Sequence, residues 1–441
     1  MEINSRIRIK KRTQADWLVG MLIIFPFLFG TLNELLELPW SLRYLMDLAW
    51  LVLIPLLMLN SLRLRKVKGL VIWITAFLAY TLIAYLLQYQ TILYYLWGFR
   101  NNFRMYAAFL AFAAFLTPED ADSYLDLFDK LFWVNVAVAL IQFLGFGLRQ
   151  DYLGGIFGTA GTNGYTNIFF VLVLTRSVVL YLEKKETTWV CASKWAAAFL
   201  VAALAELKFF FVEAVIIIAM AMVLTRFTWR KFWVVVGGLC AMVVAIQLLS
   251  IIFPEFSGWF SLATMLESAT SDKGYTYAGD LNRLTAISRI NELWLTRWWE
   301  RLFGLGLGNC DTASYDLLNT PFYVANGDMH YTWMSHSFMY LECGWIGLLF
   351  LFGFFGVVFL RAWMMSKDKQ GAMGTYGRMV MIVSALCALI AVYNGSLRTE
   401  AGYMMYFFLA LPFVYQKSST DQKEKEKTEG MEGMMYGDEQ Q

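Results

Sequence analysis

Residues 336–360 read HSFMYLECGWIGLLFLFGFFGVVFL, an apolar run with a single carboxylate, Glu342. A helix that crosses a bilayer needs about 20 mostly apolar residues, because its backbone polar groups find no other partner in hydrocarbon. The rest of the chain repeats this pattern, since 59% of its 441 residues are hydrophobic and only 16% are charged. The composition therefore places the chain among integral membrane proteins.

Twelve apolar segments follow one another along the chain and predict an all-α, polytopic membrane protein with about twelve transmembrane helices. The seventh and eighth are separated only by Glu206-Leu207-Lys208, which predicts a tight turn at the membrane surface. Within the eighth segment we expect Glu213 to pair with Lys208, which lowers the cost of burying both. The twelve segments cover residues 14–31, 43–61, 69–88, 104–117, 131–148, 165–182, 190–206, 208–225, 232–253, 336–360, 379–397 and 402–415.

The placement of basic residues predicts the orientation. Most of the 36 lysines and arginines fall on the same side as the N-terminus, as in RLRKVK at 63–68, so both termini are predicted to be cytoplasmic. The basic N-terminus has no small-residue cleavage site, which favours an uncleaved first helix. Residues 1–415 are then a single transmembrane domain, and the polar tail 416–441 is predicted to be disordered and cytoplasmic. A net charge of +2 gives no field that would attract nucleic acid.

One long hydrophilic segment, residues 254–335, is predicted to form a large extracytoplasmic loop. The chain has only two histidines: His330 lies near the end of this segment, and His336 is the first residue of the next predicted span. Apolar residues in 281–302 recur every three or four positions, which predicts an amphipathic helix at the membrane surface. The arginines of this helix can bind a phosphate group or contact lipid headgroups, and the pattern does not separate the two.

Four stretches in the same order and topology resemble the O-antigen ligase and Wzy polymerase superfamily. The resemblance covers most of residues 90–400, with two departures: Ser337 follows the histidine where asparagine is frequent, and Lys208 stands where many members carry arginine. The stretches are LYYLWGFRNNFRMYAAF at 93–109, DYLGGIFGTAGTNGYTNIFF at 151–170, LFGLGLGN at 302–309 and HSFMYLECGWIGLL at 336–349.

The resemblance implies a fold similar to GT-C-type membrane glycosyltransferases and a function at the outer leaflet of the bacterial inner (plasma) membrane. The protein would polymerise undecaprenyl-pyrophosphate-linked oligosaccharide repeat units into capsular polysaccharide, exopolysaccharide or O-antigen. The transfer would be metal-independent and inverting, without a cofactor, between a lipid-linked donor and a lipid-linked acceptor, and a chain-length regulator is a further expected partner. Two alternatives stay open: a ligase that transfers the finished glycan to another acceptor, and a lipid-linked oligosaccharide flippase.

Such a transfer needs a base for the acceptor hydroxyl and cations for the departing pyrophosphate. His336 is the predicted general base, and the alternative is a polar residue that caps the tenth helix. Arg398, Glu400 and His330 are weaker candidates, since Arg398 and Glu400 can simply pair with each other and His330 can be an exposed loop residue. The predicted pyrophosphate-binding residues are Arg289, Arg283, Lys208, Arg100 and Arg104.

The glycine runs have a different predicted role. Gly304, Gly306 and Gly308 alternate with apolar residues, and a lone GxGxG is weak evidence for a phosphate cradle. We interpret this run as a tight backbone turn, and the glycines between 154 and 164 as a flexible outer loop.

Overall fold

The computed structural model of the protein describes residues 13–38, 44–88, 90–159, 161–225, 279–313, 315–367 and 371–416, with isolated positions between 226 and 278. Within these ranges the chain forms helices, turns and loops, and no strand. Three predicted segments lie wholly or mostly outside the described residues: the ninth span at 232–253, the part of the long loop before residue 279, and the tail from 417 onward.

Eight helices precede the undescribed part, and six follow it. The first group is α1 Gln14–Leu35, α2 Leu45–Leu59, α3 Lys68–Gln88, α4 Ile92–Phe115, α5 Pro118–Phe146, α6 Asn163–Leu182, α7 Thr188–Leu204 and α8 Lys208–Leu224. The second group is α9 Ala286–Leu293, α10 Trp298–Phe303, α11 Pro321–Asn326, α12 Ser335–Ser366, α13 Ala372–Tyr393 and α14 at 402–416.

Six helical stretches of the described chain are long and apolar enough to cross a membrane. They are α1, the continuous stretch Ser61–Gln88 that contains α3, α5, α6, α12 and α13. The chain is therefore an all-helical, multi-pass membrane protein, as its composition predicted.

Two helices are longer than their apolar runs. α5 begins at Pro118, well before the predicted start at 131, because Thr117 and Asp120 form a reciprocal capping box ahead of it. α4 begins at Ile92 and not at the predicted 104, so Arg100 and Arg104 lie in its interior and not at its start. The predicted turn between α7 and α8 is confirmed, with Glu206 in the left-handed region at φ 52°.

A break in α12 is the feature that sequence patterning missed. Gly344 has φ 60° and ψ −158° inside the helix, and a Cβ there would lie 2.4 Å from the main chain of Leu302. Only glycine fits both conditions. The break leaves carbonyls of the preceding turn without helical donors, and buried carbonyls need partners. Other elements supply them: Leu305 N–H donates to Leu341 O at 2.9 Å, Gly306 N–H to Glu342 O at 2.8 Å, and the Tyr80 hydroxyl to Cys343 O at 2.9 Å.

The helix ends gather into two polar layers. We call the end at which α4, α6, α8 and α12 begin the site end, and the other the opposite end. At the opposite end α6 is tied to α13, because Arg378 donates to the Glu183 carboxylate. Burial raises the pKa of Glu183, but hydrogen bonds from Lys185, Thr375 and Arg378 outweigh it and hold that pKa below its ordinary value.

Candidate functional site

Two arginines of α4 anchor the site end, of which Arg104 is buried and Arg100 is partly buried. Arg104 lies 3.0 Å from Glu400, with only 6% of either side chain exposed, and it also donates to the carbonyl of Arg398. Glu400 accepts a second hydrogen bond from the hydroxyl of Tyr165 at 2.9 Å. One turn earlier, Arg100 donates from Nε to both oxygens of Asp47 at 3.0 and 3.1 Å. The two arginines therefore share one face of α4 and are held in place by carboxylates of other elements.

Arg398 joins this group from the turn between α13 and α14. Its guanidinium lies 3.5 Å from Asp311 and 3.5 Å from the centre of the Phe338 ring. Asp311 also accepts a 2.8 Å hydrogen bond from Asn101, which follows Arg100 on α4. Burial lowers the pKa of Arg398, against the opposing effect of Asp311. We call Arg100, Arg104 and Arg398 the arginine cluster.

Each member of the arginine cluster retains a donor that has no partner. Arg100 Nη2, Arg104 Nε and Arg398 Nε are all buried without a hydrogen-bond acceptor. An unsatisfied buried donor, especially on a charged group, is costly, so these three atoms favour an anionic or otherwise electron-rich guest. Beside Arg398 lies a cavity of about 20 Å³, which holds roughly one water. It is lined by Asn101, Asn102, Ser335, Arg398 and Tyr406, among others.

The predicted base, His336, is buried with 4% of its surface exposed. Its Nδ1 lies 3.3 Å from the carbonyl oxygen of Ala391, and the main chain of Arg283 also contacts the ring. The preceding residue, Ser335, lines the cavity and donates to the Asn394 carbonyl at 3.1 Å. The imidazole therefore sits one residue away from the cavity wall. It does not cap α12, whose preceding residue, Met334, makes no side-chain cap.

Arg283 and the α7–α8 turn meet at Tyr393, close to His336. Arg283 donates to the Tyr393 carbonyl at 2.9 Å, and its guanidinium lies 4.1 Å from the centre of the Tyr393 ring. Phe209, which follows Lys208, stacks on the same ring at 3.9 Å. Arg283 and the residue after Lys208 therefore contact the last residue of α13, two positions beyond the Ala391 carbonyl that His336 contacts.

Arg289, the first predicted pyrophosphate ligand, is not in this group. It lies on the surface of α9, 52% exposed, and pairs with Glu292 at 3.0 Å. The predicted amphipathic helix over 281–302 is two helices, α9 and α10. They separate because Leu295 turns into the core, fully buried, between them. Arg289 is consequently exposed, whereas Arg283 contacts Tyr393 and Arg301 donates to the Leu295 carbonyl.

His330 has a local role. Its Nδ1 lies 3.1 Å from Asp280, and its ring stacks on Trp333 at 3.8 Å. His330 adopts the left-handed conformation at φ 55° between two short 3-10 turns. The side chain is partly exposed, and these contacts hold the loop ahead of α12.

Two expected ion pairs do not form. Arg398 and Glu400 pair with Asp311 and Arg104 and not with each other, because the turn that joins them points the two side chains at different elements. Lys208 does not pair with Glu213, whose carboxyl oxygens have no hydrogen-bond partner.

The glycine segments are packed rather than flexible. Gly308 has φ 86°, and a Cβ there would lie 1.9 Å from the Tyr94 carbonyl oxygen, so the run at 304–308 is pressed against α4 and α12. This contact places Asp311 beside Arg398. The glycine-rich segment at 154–158 is also anchored, since Gln142 on α5 exchanges two hydrogen bonds with the Gly155 main chain at 2.8 and 3.0 Å. The prediction of a flexible loop is therefore wrong for residues 154–158.

Sequence reasoning missed the acidic partners of the site. Asp47 and Asp311 bind arginines, and the buried Glu342 accepts the Cys310 N–H at 3.1 Å. The available signal was a carboxylate within an apolar run, as at Glu342, because a membrane segment keeps such a group only where it has a role. Within the described ranges no group of three or more His, Cys, Asp or Glu side chains is placed to hold a metal ion.

A scan against models of protein families finds no match to this chain, and a search of curated proteins finds none either.

Proposed function

We propose that this protein is a membrane glycosyltransferase that polymerises undecaprenyl-pyrophosphate-linked oligosaccharide repeat units at the outer leaflet of a bacterial plasma membrane. One observation carries the proposal: three arginines, each with a buried donor atom that has no partner, gather at the same helix ends as His336. A diphosphate leaving group offers the acceptors that these donors lack. The resemblance seen in the sequence motifs agrees with this chemistry.

We infer a topology of twelve spans with both termini in the cytoplasm. Contacts between helix ends support it, because successive helices from α1 to α8 run alternately toward and away from the site end, as α12 to α14 also do. The number twelve includes the span predicted from the sequence at 232–253, which lies outside the described residues. The basic loop at 63–68 then lies inside, and the arginine cluster lies outside, as in GT-C-type enzymes.

In the proposed reaction, His336 accepts the proton of an acceptor hydroxyl as the oxygen attacks the anomeric carbon of the donor. The bond between that carbon and the pyrophosphate oxygen breaks, and the arginine cluster stabilises the negative charge that develops there. Before this step, the His336 imidazole must give up its contact with a main-chain carbonyl so that the acceptor hydroxyl can take that place. The neighbouring Arg283 segment is the element that would move to allow this.

The three arginines already have carboxylate partners, so the guest must compete with one of them. Asp311 is the partner most readily replaced, since its 3.5 Å distance from Arg398 is longer than the 3.0 Å of the other two pairs. It also lies in the loop after the glycine run, whereas Glu400 is held by Tyr165 as well. We therefore expect the donor pyrophosphate to take the place of Asp311 beside Arg398.

The test is the glycan product in cells that carry variants of this chain. His336→Ala and Arg398→Ala should abolish long glycan chains while lipid-linked single repeats accumulate, with normal amounts of protein in the membrane. Arg289→Ala is the matched control, because it removes an exposed arginine from the same side, and it should leave chain length unchanged. Chains of normal length in His336→Ala would refute the catalytic assignment.

The same experiment separates polymerase from ligase. A missing polymerase leaves single repeats on the final acceptor, whereas a missing ligase leaves long chains on the lipid carrier. Long, untransferred chains in Arg398→Ala would assign the protein to the ligase alternative.

A further inference from the structure

Glu213 is a carboxyl group inside the helix bundle that the proposed reaction does not use. It lies on α8, and its surface is 0% exposed. Neither of its two oxygens has a hydrogen-bond partner. An isolated carboxylate in such surroundings is strongly unfavourable, and a buried acid without a cation normally keeps its proton.

The surroundings of Glu213 come from three helices. The Asn167 side chain on α6 lies close to the Glu213 carboxyl group, and the Asn167 Oδ1 has no hydrogen-bond partner, with 5% of the residue exposed. From α13, the buried thiol of Cys387 lies near the carboxyl group. A protonated Glu213 has an O–H donor, which is the group that this set of acceptor oxygens lacks.

Among the described residues of α6, α7 and α13, no basic side chain contacts Glu213. The basic residues of α6, α7 and α13 are paired with carboxylates at the opposite end: Arg176 and Lys194 with Asp129, and Arg378 with Glu183. The titratable group that faces Glu213 from α13 is Cys387, and α6 presents the neutral Asn167.

We propose that Glu213 is a proton-binding site within the bundle. It holds one proton in this packing and releases it only when water enters between α6, α8 and α13. A proton is favoured over a metal cation, because hard cations need about six oxygen ligands and no group of three or more potential acidic, histidine or cysteine ligands occurs in the described chain.

The position of Glu213 connects this proton to the candidate site. On α13, Cys387 precedes by one turn Ala391, whose carbonyl contacts His336. On α6, Asn167 lies two residues after Tyr165, which donates to Glu400. Water entry at Glu213 would loosen both helices where they hold site residues. The ionised form therefore belongs to an opened arrangement of the site end, whatever group the site transfers.

Infrared difference spectroscopy tests the proposal on the full-length protein in lipid nanodiscs. The wild-type spectrum minus that of Glu213→Gln should contain a neutral carboxyl C=O band that is lost between about pH 5 and pH 10 as the group ionises. The matched control is Glu206→Gln in the preceding turn, which should leave the band in place. As a second measurement on the wild type, dicyclohexylcarbodiimide should label the Glu213 peptide, with less labelling at alkaline pH.

Three results would overturn the proposal. The first is a spectrum without a neutral carboxyl band that depends on Glu213, together with an unlabelled peptide at acid pH. The second is a band that stays constant over the whole pH range, since the proton would then not exchange. The third is protection from labelling by sodium at constant pH, which would make the ligand a metal cation. None of these readouts depends on glycosyl transfer, so they fail or succeed separately from the proposed function.

Discussion

Replacing Arg104 by methionine should destabilise the fold strongly, and the structure gives the size of the effect. The change removes two charge-assisted hydrogen bonds, to Glu400 at 3.0 Å and to the Arg398 carbonyl. At about 1.5–3 kcal/mol each, they amount to about 3–6 kcal/mol. This agrees with the ~3–5 kcal/mol lost when one member of a buried ion pair is removed and the other charge stays behind.

A double-mutant cycle with Glu400→Gln isolates the pair. Glutamine keeps an acceptor for Arg104 but carries no charge, so Glu400→Gln alone should cost less than Arg104→Met. In the double variant no charge is left buried without a partner, and we expect a favourable coupling of about 1–3 kcal/mol between the two positions. In both variants that carry Glu400→Gln, the glutamine side chain still accepts the hydrogen bond from Tyr165, so Tyr165 contributes little to the coupling energy.

Stability can be followed by the reaction of a thiol-specific fluorescent dye during heating or during titration with a denaturing detergent. The described free cysteines are all buried, so the dye reports opening of the chain: Cys191, Cys310, Cys343 and Cys387. Arg289→Met is the matched control, because its exposed pair with Glu292 should be worth no more than about 1 kcal/mol. An Arg104→Met protein as stable as the control, or strictly additive effects in the cycle, would refute the reasoning.

Three further predictions follow from the polar layers and the glycine run. Gly308→Ala should lower the melting temperature, because no Cβ fits against Tyr94, and it should lengthen the distance between Asp311 and α4, which cross-linking can measure. The control is Gly356→Ala, where an added Cβ meets open space. Asp311→Asn should tighten binding of pyrophosphate to the purified protein by about tenfold, or ~1.4 kcal/mol, in a calorimetric titration, since a competing negative charge is removed; unchanged affinity would contradict the proposed exchange. Because the pKa of Glu183 is lowered in the fold, its ionised carboxylate stabilises the protein above the ordinary carboxyl pKa of about 4.3, and this stabilisation is lost as the pH falls through the folded-state pKa. The melting temperature of Glu183→Gln should therefore depend less on pH on the acid side than that of the wild type. Parallel curves for the two proteins would exclude this pair as an acid-sensitive element.

The helical membrane class and many helix positions followed from the sequence, since apolar run length is a local property. The α7–α8 turn was predicted from three residues because nothing else separates two apolar runs there. The predicted start of α5 is too late because its first turns are polar and are stabilised by a cap. The predicted start of α4 is too late because the polar stretch RNNFR at 100–104 interrupts its apolar run, and Arg100 pairs with Asp47 of α2 within the helix. The break of α12 at Gly344 escaped prediction for a similar reason: its apolar pattern is uninterrupted, and only the contact with Leu302 requires it.

Candidate site residues were predicted with uneven success, and the difference has a physical cause. Arg100 and Arg104 come together because one helical turn separates them, which is visible in the sequence. The prediction of Arg289 depends on one continuous surface helix, and the turn at Leu295 divides that helix in two. Asp311 gives no signal in the sequence, because an aspartate in a polar loop looks solvated until the loop is packed onto the bundle.

By itself, the sequence determined that this chain is a helical membrane protein, because the cost of exposing unsatisfied backbone groups to hydrocarbon forces apolar runs into helices. It also placed the histidines and most cations near helix ends, where charge is least costly. Only the tertiary structure decided which charges meet. Arg104 pairs with Glu400 across 296 residues, and Arg398 pairs with Asp311 across fewer than a hundred, while neither Glu213 oxygen has a hydrogen-bond partner. Pairing between distant segments depends on helix packing and on one glycine break, and no local pattern encodes either.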